Sequence, residues 1–119
     1  MDNERKRYLI EQFTKKFRAI GYEQWTTGEM QNERGQRCAM GHCLTPYLRP
    51  TKEAESLGLL FDEFSLDPLA VNDAPSPQFQ HYHPRTRILA ALEFMARTLV
   101  PPVVPVSIPV AAPANNEEN

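Results

Sequence analysis

Five side chains able to act as nucleophiles, bases or metal ligands lie in two short windows of the sequence. The first window, 38–43, holds both cysteines and His42, and the second holds His81 and His83. Thiol and imidazole groups serve both covalent catalysis and zinc coordination. The spacing of these residues is therefore compared with that of a nucleophile and its base, and with that of known zinc motifs. A structural role is the third interpretation, because an unpaired cysteine usually behaves as a small buried hydrophobe.

The spacing of Cys38 and His42 suits a nucleophile and its base if residues 38–45 are helical. The two side chains are then one turn apart on one face, and the dipole at a helix start lowers the pKa of a thiol there. Asn72 or Asp73 would orient the imidazole and complete the catalytic set. These residues favour a thiol-dependent hydrolase with Cys38 as nucleophile, and either histidine of the second window could replace His42 as the base.

A zinc-stabilised module is a further alternative, because zinc takes its ligands from thiolate and imidazole groups. The spacing fits no common structural zinc motif, in which closely spaced cysteine pairs usually occur twice. We therefore predict no metal ligand and no cofactor. The residues that a zinc site would have to bring together are Cys38, His42, Cys43, His81 and His83.

Trp25 is the single tryptophan and lies in a glycine-rich segment. On the surface it would be a stacking platform beside Arg34 and Arg37, a composition typical of sites that bind a peptide or a base. In the core it would cover the helices while its indole N–H donates to a carbonyl. We predict a binding role for Trp25, Arg34, Arg37 and Asn72, although Asn72 and Asp73 are also typical of a turn or cap.

The first predicted helix covers residues 3–20, where apolar side chains recur at three- and four-residue spacing. Asp2 or Asn3 would cap its start, and Gly21 would close its end in a left-handed conformation. Its single apolar stripe indicates a helix that buries one face. The stripe consists of Leu9, Phe13, Phe17 and Ile20.

Two more helices are predicted at 52–60 and 84–99. Thr51 is a good N-cap for the helix at 52–60. Pro84 suits the first position of the helix at 84–99, because its missing amide would be unpaired there. The first and last helices each have one apolar stripe and no other long partner, so we expect them to pack together. The stripe of the last helix is formed by Ile88, Leu92, Met95 and Leu99.

In the segments between the helices, the apolar residues do not recur at a regular spacing. Residues 21–37 contain three glycines, which favours a loop or a hairpin with strands at 25–31 and 36–40 and a turn from Asn32 to Gly35. The next segment, 38–45, is apolar enough to be a short helix or a strand, and the proline that follows it ends either element. Residues 65–77 indicate a turn-rich connection.

The sequence therefore predicts a mostly α fold, a small bundle of three to four helices with a short β-hairpin or irregular layer at about 22–42. Residues 1–100 would form a single compact domain. Residues 101–119 contain five prolines among valine and alanine, which favours an extended or disordered tail. Its prolines have the spacing that suits a groove on a partner protein. The tail could also pack on its own domain or on a second copy, so a homodimer is an alternative.

Length and charge exclude several classes of protein. A chain of 119 residues is too short for a doubly wound nucleotide-binding fold, a barrel enzyme or two lobes. Its net charge of -2 argues against a nucleic-acid partner. No stretch approaches the ~20 apolar residues of a membrane span, and the first residues lack the apolar run of a secretory signal. Two cysteines do not form a disulfide framework, so we expect a cytoplasmic protein.

Short motifs give the chain a resemblance to known sequences. Trp25, the run Gly35-Gln-Arg-Cys-Ala-Met-Gly41, the run Val71-Asn-Asp-Ala74 and the helix that contains Ile88 follow one another in this order. The pattern resembles a set of small bacterial and phage proteins that have no established activity. His42 and Cys43 depart from it, because small or apolar residues are expected after the glycine. The resemblance implies a compact, mostly helical domain in which these motifs lie close together.

The leading hypothesis from the sequence is a small non-enzymatic accessory factor that binds another protein, of the kind that a phage or another mobile element encodes. Small size, uneven charge and an apolar tail favour it. Residues 1–52 carry ten basic and six acidic side chains, whereas residues 53–84 carry six acidic side chains and no lysine or arginine. The thiol-dependent hydrolase and the zinc-stabilised module are the alternatives.

Overall fold

The computed structural model describes residues 1–99 of the protein, and the predicted tail at 101–119 lies outside the described residues. The prediction of a mostly α fold is confirmed, since residues 1–99 contain four α-helices and only isolated β-bridges. One hydrophobic core, with residues from Leu9 to Met95, joins the helices.

Helix α1 covers Asn3–Arg18 and begins at the predicted cap. The Asp2 carboxylate accepts a hydrogen bond from the Arg5 N–H at 2.8 Å, which satisfies one of the free amides of the first turn. The predicted closure by Gly21 is wrong. The helix ends at Arg18 with Ala19 as its C-cap, and Gly21 is extended with φ -64°, because it leads into a short 3-10 turn at Tyr22–Gln24.

Helix α2 covers Lys52–Asp62 and has the predicted N-cap. Thr51 Oγ1 accepts a hydrogen bond from the Ala54 N–H at 2.9 Å and donates one to the carbonyl of Cys43. The cap therefore has a second role, because it connects the start of α2 to the segment that contains the cysteines.

Helix α3 covers Pro68–Asp73, where we predicted only a turn-rich connection. The prediction is wrong for these six residues because local capping is sufficient to start a short helix. Asp67 accepts a hydrogen bond from the Leu69 N–H at 3.0 Å, and Pro68 occupies the first turn. The sequence Asp-Pro is a typical helix start, but a helix of this length is too short to show a period.

Helix α4 covers Pro84–Leu99 and begins at the predicted proline. It packs on α1, as predicted, and also on α3. Arg7 Nη2 donates to the Leu99 carbonyl at 2.9 Å, and Arg85 Nη2 donates to the Arg18 carbonyl at 2.8 Å. Because each end of α4 is bonded to the opposite end of α1, the two helices run antiparallel.

The layer at 22–42 is irregular and the predicted hairpin strands do not form. Within residues 1–99, strand pairing between the two segments is limited to isolated bridges of Trp25 and Gln31 with Arg37. The predicted turn is present, since Gly35 has φ 80° and its N–H donates to the Asn32 carbonyl at 3.0 Å. The segment that follows has a single 3-10 turn at Gly41–Cys43. No helix within residues 1–99 has the length and apolar character needed to cross a membrane.

Candidate functional site

The residues of the first cysteine window and the pair Asn72-Asp73 meet in the folded domain. Asn72 is fully buried, and its Oδ1 accepts a hydrogen bond from the Ala39 N–H at 3.0 Å. Its Nδ2 donates to the Thr26 carbonyl and to Asp73 Oδ1, each at 3.0 Å. One amide side chain therefore satisfies polar groups of both would-be hairpin strands, in addition to the isolated bridges that join these strands at Arg37.

Gly41 allows this close arrangement because its position has no room for a side chain. A Cβ at Gly41 would lie 2.1 Å from the carbonyl oxygen of Met30. The Gly41 N–H also donates to Cys38 Sγ at 3.3 Å. The Cys-Ala-Met-Gly run is thus explained by packing: Ala39 is fully buried, and Gly41 permits a neighbouring backbone segment to approach.

Cys38 is only 1% exposed and does not have the surroundings of a nucleophile. Burial raises the pKa of its thiol above the ordinary value, and the negative charge of Asp73 acts in the same direction. Backbone hydrogen bonds from Gly41 and Met40 lower the pKa of Cys38 without reversing the shift. At neutral pH Cys38 therefore remains a protonated thiol, which is a poor nucleophile.

Cys43 belongs to the hydrophobic core, and burial raises the pKa of its thiol to about 12. Both cysteines are free thiols rather than partners in a disulfide. Within residues 1–99 they are small core side chains, and neither combines access with the electropositive surroundings that activate a thiolate.

His42 is held against the core and not against the thiol. Its ring makes an edge contact with Trp25, at 5.0 Å between centroids, and its Nε2–H donates to the Gln24 carbonyl at 3.0 Å. Burial lowers the pKa of His42, so the imidazole is neutral at pH 7. The His42 backbone N–H donates to the Cys38 carbonyl at 2.9 Å, but among the described residues no hydrogen bond joins the His42 imidazole to the Cys38 thiol or to the Asp73 carboxylate. The catalytic set predicted from the sequence is not assembled.

Asp73 lies at the surface and links the glycine-rich loop to the end of α3. Its Oδ1 accepts from the Gly28 N–H at 3.0 Å as well as from Asn72. The carboxylate also lines a cavity of about 470 Å³ together with Trp25, Tyr82 and His83. In that position Asp73 is a polar wall of a cleft, and it does not orient an imidazole.

Trp25 is 4% exposed and forms part of the core. Its indole N–H donates to the Ile20 carbonyl at 3.2 Å, and its ring packs edge-on against Phe17. The predicted stacking platform does not form, because Trp25 shows too little of its ring to hold a base or peptide. Arg34 lies in the exposed turn beside Glu29 and Glu33, away from the indole.

Arg37, predicted as a ligand-binding residue, uses its guanidinium within the chain. Its Nε donates to Gln31 Oε1 at 2.7 Å. The terminal nitrogens donate to the carbonyls of Gly41 at 2.8 Å, Thr45 at 3.0 Å and Pro46 at 2.9 Å. Arg37 therefore fixes the path of the loop 45–49, which we call the Tyr47 loop, directly after the cysteine window.

The Tyr47 loop carries two exposed side chains on a well-bonded backbone. Tyr47 is 87% exposed, and Leu48 is 38% exposed with φ 61°, in the left-handed region that disfavours a leucine. Thr45 N–H donates to the Arg49 carbonyl at 3.1 Å, and Leu48 N–H donates to the Thr45 carbonyl at 2.9 Å. This loop is not among the sites predicted from the sequence, although an aromatic and an aliphatic residue between two prolines are an available signal.

Arg87 was also missed by sequence reasoning. It is 1% exposed, and its guanidinium donates to carbonyls at both ends of the connection between α3 and α4. These are the carbonyls of Val71, Asn72, His81 and Tyr82. Its position four residues before Ala91, on the buried face of α4, was the available signal.

The two histidines of the second window do not approach the cysteines. His83 Nδ1 accepts from the Arg85 N–H at 3.1 Å, which caps α4, and its Nε2–H donates to the Tyr22 carbonyl at 3.1 Å. His81 is exposed. In the part of the chain that the structure describes, no three His, Cys, Asp or Glu side chains are placed to hold a metal ion.

No family model, curated protein or solved structure matches the chain. The resemblance to small bacterial and phage proteins stays a prediction, and the geometry of residues 1–99 is the basis for assigning a role.

Proposed function

We propose that the protein is a non-enzymatic protein-binding factor and that the Tyr47 loop is its contact with the partner. The observation that carries this proposal is the exposure of Tyr47 and Leu48 on a loop that Arg37 holds in place. The partner is another protein with an apolar pocket that admits these two side chains.

The physical argument begins with the conformation of Leu48. A leucine in the left-handed region costs roughly 1–3 kcal/mol, and such positions persist only where the surrounding structure imposes them. Leu48 is outside the hydrophobic core, so its side chain does not offset this cost by packing. A role in binding explains why a strained, partly exposed leucine is present where glycine would be relaxed.

Tyr47 supplies the second part of the argument. Tyrosine presents a large amphipathic surface with few rotatable bonds, and it is enriched among the residues that dominate binding energy. A loop already ordered by hydrogen bonds loses less entropy on binding than a flexible one. The bonds from Arg37 and those within the Tyr47 loop therefore favour an anchor that is ready to bind.

We further propose that this binding takes place in the cytoplasm. Cys38 and Cys43 are unpaired thiols, which suits a reducing compartment. A second copy of the chain remains an alternative partner, and it would give a self-association that a size measurement detects. An origin in a phage or mobile element remains a prediction from the sequence.

Affinity capture with the full chain tests the proposal when the natural sequence and two variants are compared in one bacterial lysate. Tyr47→Ser should reduce the captured partner by about tenfold, as expected for loss of one aromatic anchor. Tyr82→Ser is the matched control, because Tyr82 is 92% exposed but lies outside the loop. Equal capture by all three proteins, or no specific partner for any, would contradict the proposal.

Leu48→Gly separates binding from stability. The change relieves the left-handed backbone strain, so the free energy of unfolding should not fall, while capture of the partner should decrease. Ser65→Gly is the control, because Ser65 has φ 59° at an exposed position on another loop. It should leave capture unchanged. A Leu48→Gly protein that captures normally would show that the leucine side chain makes no contact.

A further inference from the structure

A groove runs along the face between α1 and α4. One part has a volume of about 550 Å³ and an apolar floor that includes Ile10 and Ala96. A second part of about 500 Å³ shares Thr14, Arg18 and Ala96 with the first and continues along α4 to Leu89. Because the two parts share these residues, they form one continuous surface, which we call the α1–α4 groove.

The rim of the α1–α4 groove is mainly basic. Arg7, Lys15 and Arg18 line it, with Glu11 as the acidic residue on the same helix. Within residues 1–99 none of the three cations forms an ion pair, whereas Glu93 on the α4 side is paired with Arg97 at 2.9 Å. The groove thus combines an apolar floor with cations that can receive carboxylates.

The sequence after Leu99 has the complementary composition. Residues 100–119 contain five valines, an isoleucine and five prolines, then Glu117 and Glu118, with no lysine or arginine. This segment begins at the groove itself, because the Leu99 carbonyl accepts a hydrogen bond from Arg7. Its apolar part suits the floor, and its acidic part suits the rim.

The chain is long enough to cover the groove. Arg7 and Arg18 are eleven residues apart on α1, which corresponds to roughly 16 Å along a helix. An extended chain advances about 3.1 Å per residue, so residues 103–110 alone are sufficient for that span. Attachment to α4 also gives the segment a high effective concentration near the groove.

We propose that residues 103–118 of this chain bind the α1–α4 groove of the same molecule, with Val103 to Val110 on the apolar floor and with a reversal of the chain after Val110 that returns Glu117 and Glu118 to the basic rim. The groove is then an internal docking site and is separate from the partner contact at the Tyr47 loop. This inference does not depend on the proposed function.

Photocrosslinking of the full chain tests the proposal. A p-benzoylphenylalanine at Thr14, which both parts of the groove share, should form crosslinks to residues 103–110 within one molecule. The same probe at Gln12 is the control, because Gln12 lies on the side of α1 that faces α2. Crosslinks between two molecules, or no crosslink from Thr14, would overturn the proposal.

A second measurement leaves the groove residues unchanged. If the two glutamates cover Lys15, acetylation of the Lys15 amine should be about threefold faster in the double variant Glu117→Gln/Glu118→Gln. In the natural sequence, raising the salt concentration from about 50 to about 500 mM should also accelerate this acetylation, because salt screens the ion pairs. Asn115→Gln/Asn116→Gln is the matched variant with no change in charge. Lys52 on α2 is the internal reference. Equal Lys15 rates in all proteins would contradict docking of the acidic residues.

Discussion

Asn72 accepts a hydrogen bond from the Ala39 N–H at 3.0 Å across a separation of 33 positions. The same side chain donates to the carbonyl of Thr26. Asn72, which lies in α3, is thus bonded to both the glycine-rich loop and the cysteine window. This buried amide therefore attaches the irregular layer to α3.

Replacing Asn72 with alanine should lower the free energy of unfolding by about 3 kcal/mol. The variant leaves the buried Ala39 N–H and the Thr26 carbonyl without partners, and each such loss costs about 1–3 kcal/mol. Urea denaturation measures the effect. Asn3→Ala, at an exposed position of α1, should change stability by less than about 0.5 kcal/mol. Similar values for the two variants would show that the buried amide is dispensable.

Gly41→Ala should destabilise the protein by at least about 2 kcal/mol, because a methyl group would lie 2.1 Å from the Met30 carbonyl oxygen and force the backbone apart. Gly58→Ala provides the opposite case. Gly58 is in α2 with open space at its Cβ position, so alanine should stabilise the helix by roughly 0.5–1 kcal/mol. Thermal unfolding of both variants checks the expected difference in sign, and a neutral Gly41→Ala would contradict the close contact.

Stability should fall in alkaline solution because of Cys43. The pKa of the folded thiol is raised to about 12, so the folded state keeps a proton that the unfolded state loses at a lower pH. Below the pKa of the thiol in the unfolded chain, Cys43 therefore does not reduce the free energy of unfolding. As the pH rises from there towards about 12, the free energy of unfolding falls by up to ~1.4 kcal/mol per pH unit. Burial of Cys38 acts in the same direction.

Urea denaturation at about pH 8 and about pH 10.5 would measure this dependence. Cys43→Ala is the comparison: its stability is lower at about pH 8 because of the cavity, but it should lose less stability than the natural sequence between the two pH values. An identical alkaline loss in the variant and the natural sequence would assign the dependence to other groups.

Arg87→Met should lower the free energy of unfolding by about 3–5 kcal/mol. Methionine has a similar length, but it leaves four backbone carbonyls without the hydrogen bonds that the guanidinium now donates. Arg87→Lys should also destabilise, because an ammonium cannot reproduce the planar set of donors. Arg97→Met is the control on the exposed face of the same helix. Unchanged stability in Arg87→Met would mean that the connection between α3 and α4 holds without these bonds.

The helices were predictable because their signals are local. The apolar stripe of residues 9–20, the Thr51 cap and Pro84 specify where α1, α2 and α4 lie, and the single stripe of each long helix specifies their packing. Helix α3 was missed because six residues are too few to show a period.

The candidate site was less predictable because its organisation depends on side chains that bond to distant backbone groups. The meeting of the cysteine window with Asn72 and Asp73 was expected, but the roles were not. Composition alone does not show that Arg37 and Arg87 donate to carbonyls, or that Trp25 is covered. The backbone conformation at Leu48 also has no local signal in its residue type.

The hydrogen bond from Arg7 to the Leu99 carbonyl has a consequence for chain connectivity. Since α4 finishes beside the first turns of α1, a short linker could join residue 99 to residue 3 with little displacement. The chain could then be opened in the exposed turn at Arg34 and Gly35, giving a circular permutant with all four helices intact. By the same geometry, the domain could be inserted into a surface loop of a host protein without spreading the two ends of that loop.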